Sequence, residues 1–255
     1  MRTIGFYLLL IFSLVQLKES QAQAKPVEES NGQDSLKTDP FRKRAYIGLE
    51  YGFSIPMGSF SADTEAQNKS AFALNGRSFN ILKFAYRIRS SFYACGRYAI
   101  MQNQVQESGI ESRLASQSAS RFQVEAKSYE LRAFFLGVGV TKRSKSLDVD
   151  LRFLGGYGNT FTPSLQITET DSNGLKTQRA LPTENQSGFG GALSMGLRIH
   201  LNEYLDFTST ASYLIFEKNF EDVSLNPTQS SRLSYEVVNL NFGIAYRFIP
   251  EKLSP

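Results

Sequence analysis

His200 is the only histidine and Cys95 the only cysteine in the 255 residues of this chain. Acid–base or nucleophilic chemistry therefore has few places to reside. A hydrolytic triad on His200 needs a serine and a carboxylate within hydrogen-bond reach. Ser194 shares its face but stands six residues away, about 20 Å along an extended strand. A solvated or charge-paired histidine is the better reading. One histidine and one cysteine fall short of a transition-metal site. Glu217, Glu221 and Asp222 crowd a polar segment that could hold calcium weakly, but a solvated acidic loop accounts for them. Gly155-Gly156-x-Gly158 and Gly188-x-Gly190-Gly191 lack phosphate-loop spacing and lie in alternating segments, where glycine relieves crowding. No catalytic residue, cofactor or metal is expected.

The remaining chemistry is charge, and it recurs at every second position. Glu130 and Arg132 form one such run, and Asp148, Asp150 and Arg152 another. Glu50, Lys83, Arg87, Arg97, Arg198, Asp206 and Arg247 occupy the same kind of position. Each alternates with an apolar residue, which is the signature of a strand with two unlike faces.

Eight segments carry that pattern. In Tyr46–Ile55, Ile47, Leu49, Tyr51, Phe53 and Ile55 share one face. Phe72–Ile88 sets Leu82, Phe84, Tyr86 and Ile88 against Lys83, Ala85 and Arg87, with a less regular upper half. Phe92–Gln102 sets Phe92 and Tyr98 against Tyr93 and Arg97. Val124–Thr141 places Tyr129, Leu131, Ala133 and Phe135 on the apolar row and Glu130 and Arg132 on the polar one. Its phase blurs over Leu136–Val140, where two glycines suggest a bulge. Leu147–Phe161, Gly188–Leu201, Tyr204–Glu217 and Val237–Phe248 complete the set. The turns at Arg89–Ser91, Arg143–Ser146 and Asn202–Glu203 are tight. The connections Pro56–Ala71, Asn103–Gln123, Thr162–Ser187 and Lys218–Ser234 are long and polar. An even strand number with short turns at one end and long loops at the other predicts an all-β, eight-stranded antiparallel up-and-down transmembrane β-barrel.

The ends and composition agree. Arg2, the apolar run Ile4–Leu17 and Ala22-Gln23-Ala24 read as a cleaved signal peptide over residues 1–24. Its removal leaves 26 basic and 23 acidic side chains, a net charge of about +3 that is scattered and gives no footprint for nucleic acid. Residues 25–43 read as a disordered periplasmic lead-in, 44–248 as the barrel and 249–255 as a short tail. With one cysteine no intrachain disulfide can form, so an exported chain needs closure by other means.

Alternation alone does not say which row faces lipid. The polar row is rich in Gly, Ala and Ser, as a tight eight-stranded interior requires. Aromatics gather near the strand ends: Tyr46, Tyr86, Phe92, Tyr204, Tyr246 and Phe248 by the short turns, and Phe53, Tyr129, Phe161, Phe189 and Phe216 by the loops. Such girdles mark two membrane interfaces. The apolar row is therefore assigned to lipid. The lumen receives a charge network of Glu50, Lys83, Arg87, Arg97, Glu130, Arg132, Asp148, Asp150, Arg152, Arg198, Asp206 and Arg247. Paired charges filling a narrow barrel explain that row better than a polar conduit or proton path does.

Two motifs resemble a known family. Asn241-x-Gly243-x-x-Tyr246-x-Phe248 is similar to the C-terminal assembly signal of bacterial outer-membrane barrels, although Ile249–Pro255 follows it here. Gly52-x-x-x-Pro56-x-Gly58-x-Phe60 resembles the first strand and loop entry of small outer-membrane β-barrel proteins of Bacteroidota, which are porin-like or OmpA-barrel-like. The likeness spans about residues 44–248. It implies localisation in the cell outer membrane, contact with outer-membrane lipid and engagement of the barrel-assembly machinery. The expected function is non-enzymatic, structural or loop-mediated binding of an unidentified extracellular ligand or envelope partner. A narrow pore or lateral transporter for small solutes, and an accessory subunit of an envelope or secretion complex, are the alternatives. A lipid hydrolase is the remotest.

Overall fold

Alternating segments become sheet where neighbours satisfy each other's backbone, and eight of them do so here in a ring. The computed structural model describes residues 45–61, 71–89, 91–144, 146–221 and 230–248, with 217–221 and 230–233 as backbone only. In chain order these form β1 (Ala45–Pro56), β2 (Ala73–Arg87), β3 (Phe92–Val105), α1 (Glu107–Ala115), β4 (Arg121–Ala126), β5 (Tyr129–Arg143), β6 (Leu147–Phe161), β7 (Leu165–Thr170), β8 (Lys176–Leu181), β9 (Asn185–His200), β10 (Leu205–Glu221) and β11 (Ser230–Phe248). The expected signal segment, lead-in and tail lie outside the described residues, as does Asp222.

Strands β1, β2, β3, β5, β6, β9, β10 and β11 pair in that order, and β11 returns to β1 to close the barrel. All 12 residues of β1 pair with β11, from Ala45 opposite Phe248 to Pro56 opposite Val237. Closure leaves no exposed barrel edge. Following direct partners from Glu50 one way round leads through Asn80, Ala99, Ala133 and Gly158 to Gly188. The other way leads through Gly243 and Thr208 to Arg198, ten residues from Gly188 on the same strand. Eight strands with that stagger tilt by about 35–45° and leave an interior that side chains largely fill, too narrow for an aqueous channel.

Two register shifts explain the irregular upper half of β2, one against β3 between Ala73 and Gly76 and one at Ile81-Leu82. The register with β1 shifts between Gly48 and Glu50, and Ile81 and Leu82 both point outwards. Above the shift Ser78 and Asn80 face inwards, and below it Lys83 and Ala85 do. The extra residue keeps both stretches in phase with the barrel.

The long connections are not plain loops. The second carries α1 and β4, and the third carries β7 and β8, which join β4 in a separate sheet of order β4-β7-β8. The expected fourth strand is thus two: the chain leaves the cap sheet at Ala126 and enters the barrel at Tyr129. The expected fourth loop is shorter than its sequence suggested, because β10 and β11 stay paired out to Glu221 and Ser230. The cap has its own core. Ile110, Leu114, Val124, Leu165 and Ile167 are buried together, with Phe72, Phe122 and Leu181 packed against them. Ile110 and Leu114 lie one helical turn apart, which gives α1 a single apolar face on β4.

Candidate functional site

Opposite residues of an antiparallel pair share a face, so each ladder delivers its side chains to the lumen or to the outside in register. Below, the end with the short turns is the floor and the end with the loops is the roof.

At the floor, β6, β9 and β10 bring charges of both signs together. Arg198 sits 2.9 Å from Asp148, 3.0 Å from Asp150 and 4.0 Å from Asp206. Its guanidinium lies 4.5 Å from the Tyr46 ring centroid. Arg152 reaches Asp150 at 2.8 Å and donates to the Tyr93 hydroxyl at 3.0 Å. Arg247 approaches Asp206 at 2.9 Å, and Arg143 stands 3.9 Å from Asp148. One level higher, Glu50 accepts from Asn80 and Thr208 at 2.9 and 2.8 Å, shares Thr210 at 2.8 Å, and forms an ion pair with Lys83. Both carboxylate oxygens are occupied. Arg87 is half-buried opposite Tyr93.

His200 belongs to this floor. Its Nδ1 lies 2.8 Å from Asp206, and its Nε2 lies 3.4 Å from Asp148. Both partners are carboxylates, and Ser194 stands on the β9 wall beyond Arg198. A histidine with both ring nitrogens engaged by carboxylates has no nitrogen left to activate a hydroxyl, as a triad requires. Among the described residues no group of three or more His, Cys, Asp or Glu has the geometry to hold a metal ion. Glu217 and Glu221 fall where only backbone is described.

At the roof, the interior is apolar. Phe60 lies on a single 3-10 turn, Gly58–Phe60, whose start is tied down by the Met57 amide donating to the Glu236 carbonyl at 2.8 Å. Gly58 has φ +55°, a left-handed conformation that glycine adopts without strain. The turn swings the fully buried Phe60 into the barrel mouth, with ring centroids 4.2 Å from Tyr235 and 5.1 Å from Tyr129. Phe135 and Phe216 meet edge-on below them at 5.7 Å. Tyr235 donates to Asn103 at 2.9 Å, and Asn103 in turn donates to the Ser54 and Leu74 carbonyls. The Gly52-x-x-x-Pro56-x-Gly58-x-Phe60 stretch is thus the hinge and stopper of the roof.

Two members of the expected lumen network are displaced. Glu130 and Arg132 stand on the outward row of β5 near its roof end, paired with each other, and the Arg132 side chain is 52% exposed. Arg132 lies 5.3 Å from the Phe161 ring centroid. The register with β3 dictates this. Leu131, Ala133 and Phe135 oppose the inward Met101, Ala99 and Arg97, so they face inwards as well. The stretch Leu136–Val140, which looked blurred, is regular: Leu136, Val138 and Val140 face out, and Gly139 sits beneath the Tyr93 ring. No bulge is needed there. Three aromatics expected in the girdles also turn inwards, namely Tyr46 at the floor and Tyr129 and Phe216 at the roof. The direct partners of Phe135 and Phe216 are Gly156 and Gly190, which make room for the rings.

Of the other expected lumen residues, Glu50, Lys83, Arg97, Asp148, Asp150, Arg152, Arg198 and Asp206 are buried and Arg87 and Arg247 are half-buried, while Leu49, Phe53, Phe153, Phe242 and Ile244 are exposed. A polar inside with a greasy outside inverts the soluble arrangement. Only a bilayer makes it favourable, and only closed barrels or helices can span one. The chain is an integral membrane β-barrel. Asn241 and Gly243 of the C-terminal motif line its lumen wall. Tyr246 faces lipid with Phe248, stacked with Tyr204 and Phe248 at 5.9 and 6.4 Å.

No protein-family model matches the chain, and no curated protein does. Solved barrels resemble it at low identity. Ail, the attachment invasion locus protein of Yersinia pestis, is 14% identical with a TM-score of 0.40, covering 81% of this chain and 97% of that one. OprG of Pseudomonas aeruginosa is 14% identical with a TM-score of 0.45 over 81% and 97%. A major outer membrane protein of Thermus thermophilus is 14% identical with a TM-score of 0.42 over 80% and 99%. The fold assignment rests on the closed ladder of this chain itself.

Proposed function

We propose that this barrel is a closed, non-enzymatic scaffold that holds a folded binding platform at the outer face of the membrane. The observation that carries this reading is the contrast between a lumen bridged from wall to wall and a cap with its own core and one bare edge. The two outer strands of the cap sheet differ. The β4 amides of Val124 and Ala126 donate to Glu111 and Glu107 of α1 at 2.9 and 2.8 Å, which blunts that edge. At the other edge, Lys176 to Ala180 of β8 are exposed on both faces. An uncovered edge strand is a site for strand addition by a partner. The resemblance of the Gly52–Phe60 and Asn241–Phe248 motifs supports membership of the small Bacteroidota barrel family, with the latter motif read by the assembly machinery.

Cross-linking and pull-down from native outer membranes tests the reading, using the intact chain beside one whose β7–β8 hairpin is replaced by a tight turn. A partner or surface ligand captured by the former and lost in the latter, with heat-modifiable gel migration retained in both, is the expected result. Capture that survives removal of the hairpin would move the binding role elsewhere.

A further inference from the structure

Arg97 is the one fully buried cation whose charge meets no carboxylate among the described residues. Lys83 has Glu50, Arg152 has Asp150, and Arg198 has Asp148 and Asp150. Arg97 instead crosses the lumen from β3, its Nη1 donating to Ser212 Oγ on β10 at 3.3 Å. Its guanidinium carbon lies 5.1 Å from the Phe135 ring centroid. Its Nε and Nη2 have no hydrogen-bond partner among the described residues, although the side chain is buried. Glu50 is already neutralised by Lys83 and accepts from Asn80, Thr208 and Thr210, so its single charge does not balance Arg97 as well.

The facing wall carries matching donors. Ser212 pairs directly with Ser194 on one side and Asn239 on the other, and Asn241 lies one inward position below Asn239. Ser194 Oγ and Asn241 Nδ2 are also buried without hydrogen-bond partners among the described residues, as are the acceptor oxygens Asn239 Oδ1 and Asn241 Oδ1. Charge points the same way. The fully buried inward charges are the carboxylates Glu50, Asp148, Asp150 and Asp206 against Lys83, Arg97, Arg152 and Arg198, and each of the four acids is held by a cation other than Arg97. A buried water can accept hydrogen bonds from such groups but leaves the charge uncompensated. An anion does both, and guanidinium donates its strongest hydrogen bonds to anions.

We propose that the closed lumen holds one small monovalent inorganic anion of the halide class, seated on Arg97 between the floor network and the aromatic roof, with Ser194 and Asn241 as its neutral donors. The site fixes the side chain that bridges β3 to β10. It is independent of what the cap binds.

Bromide is the probe. Wild-type crystals grown with sodium bromide in place of chloride, measured at the bromine edge, are expected to show an anomalous peak within hydrogen-bond distance of Arg97 Nε or Nη2. A map with bromide on the protein surface and none at Arg97 overturns the proposal. In lipid vesicles at constant ionic strength, the wild-type unfolding temperature is expected to be higher in bromide than in isethionate, a bulky organic anion. Arg97→Met is expected to lose that difference and Arg97→Lys to keep part of it. An equal halide effect in wild type and Arg97→Met assigns the ion to the surface and overturns the site. Should Arg97→Met fail to fold, the wild-type map decides alone.

Discussion

At the floor of the lumen, Arg198 lies between Asp148, Asp150 and Asp206, and Arg143, Arg152 and Arg247 each stand within 4.0 Å of one of those acids. At the roof, Phe60, Tyr235 and Tyr129 fill the same bore with rings, and only their hydroxyls reach polar partners. The two ends close one tube by opposite chemistries. Ionic closure is set by geometry and fails sharply, because removal of one partner strands a buried charge. Apolar closure is graded, because its cost follows the volume removed. The floor therefore behaves as a specifying device and the roof as a fitted stopper.

Substitutions should separate the two. The largest effect is expected from Glu50→Leu, which leaves Lys83 buried without its acid and should cost about 3–5 kcal/mol. Denaturant unfolding in lipid vesicles reads it, and Glu50→Leu with Lys83→Met should recover most of the loss. A double variant as unstable as the single one would mean that the floor is held by packing rather than by pairing. Phe60→Ala should cost about 3 kcal/mol and admit small reagents from the loop side while leaving the floor ion pairs in place. Gly190→Val pushes a side chain against Phe216 and should cost about 1–3 kcal/mol by overpacking. Arg132→Gln should stay within about 0.5 kcal/mol, as expected of a half-exposed rim charge. A loss as large as that of Arg152→Gln would return Arg132 to the lumen.

The barrel was legible because period-two alternation and the long–short order of connections are local signals that one chain displays in full. The floor was legible for the same reason, since a charge on an alternating strand has only one tolerable side in lipid. That argument weakens near the membrane surface. Glu130 and Arg132 sit at the roof rim, where an outward charge meets water, and their phase could be fixed only by the partners that β3 provides. The regular Leu136–Val140 stretch held the correct phase, with glycine inward and branched chains outward. The roof was hidden because an apolar inner row looks like a lipid row until a second strand is laid beside it. The cap was hidden because six-residue strands in polar connections carry too few residues to show a period.

The central claim is that the lumen is sealed at both ends. Single-channel recording of the purified wild-type protein in a planar bilayer tests it most directly. The account predicts no stable unitary openings at any applied voltage that leaves the membrane intact. Reproducible openings whose size changes in Arg97→Met or Arg152→Gln would contradict it, because current would then be passing the residues that close the tube.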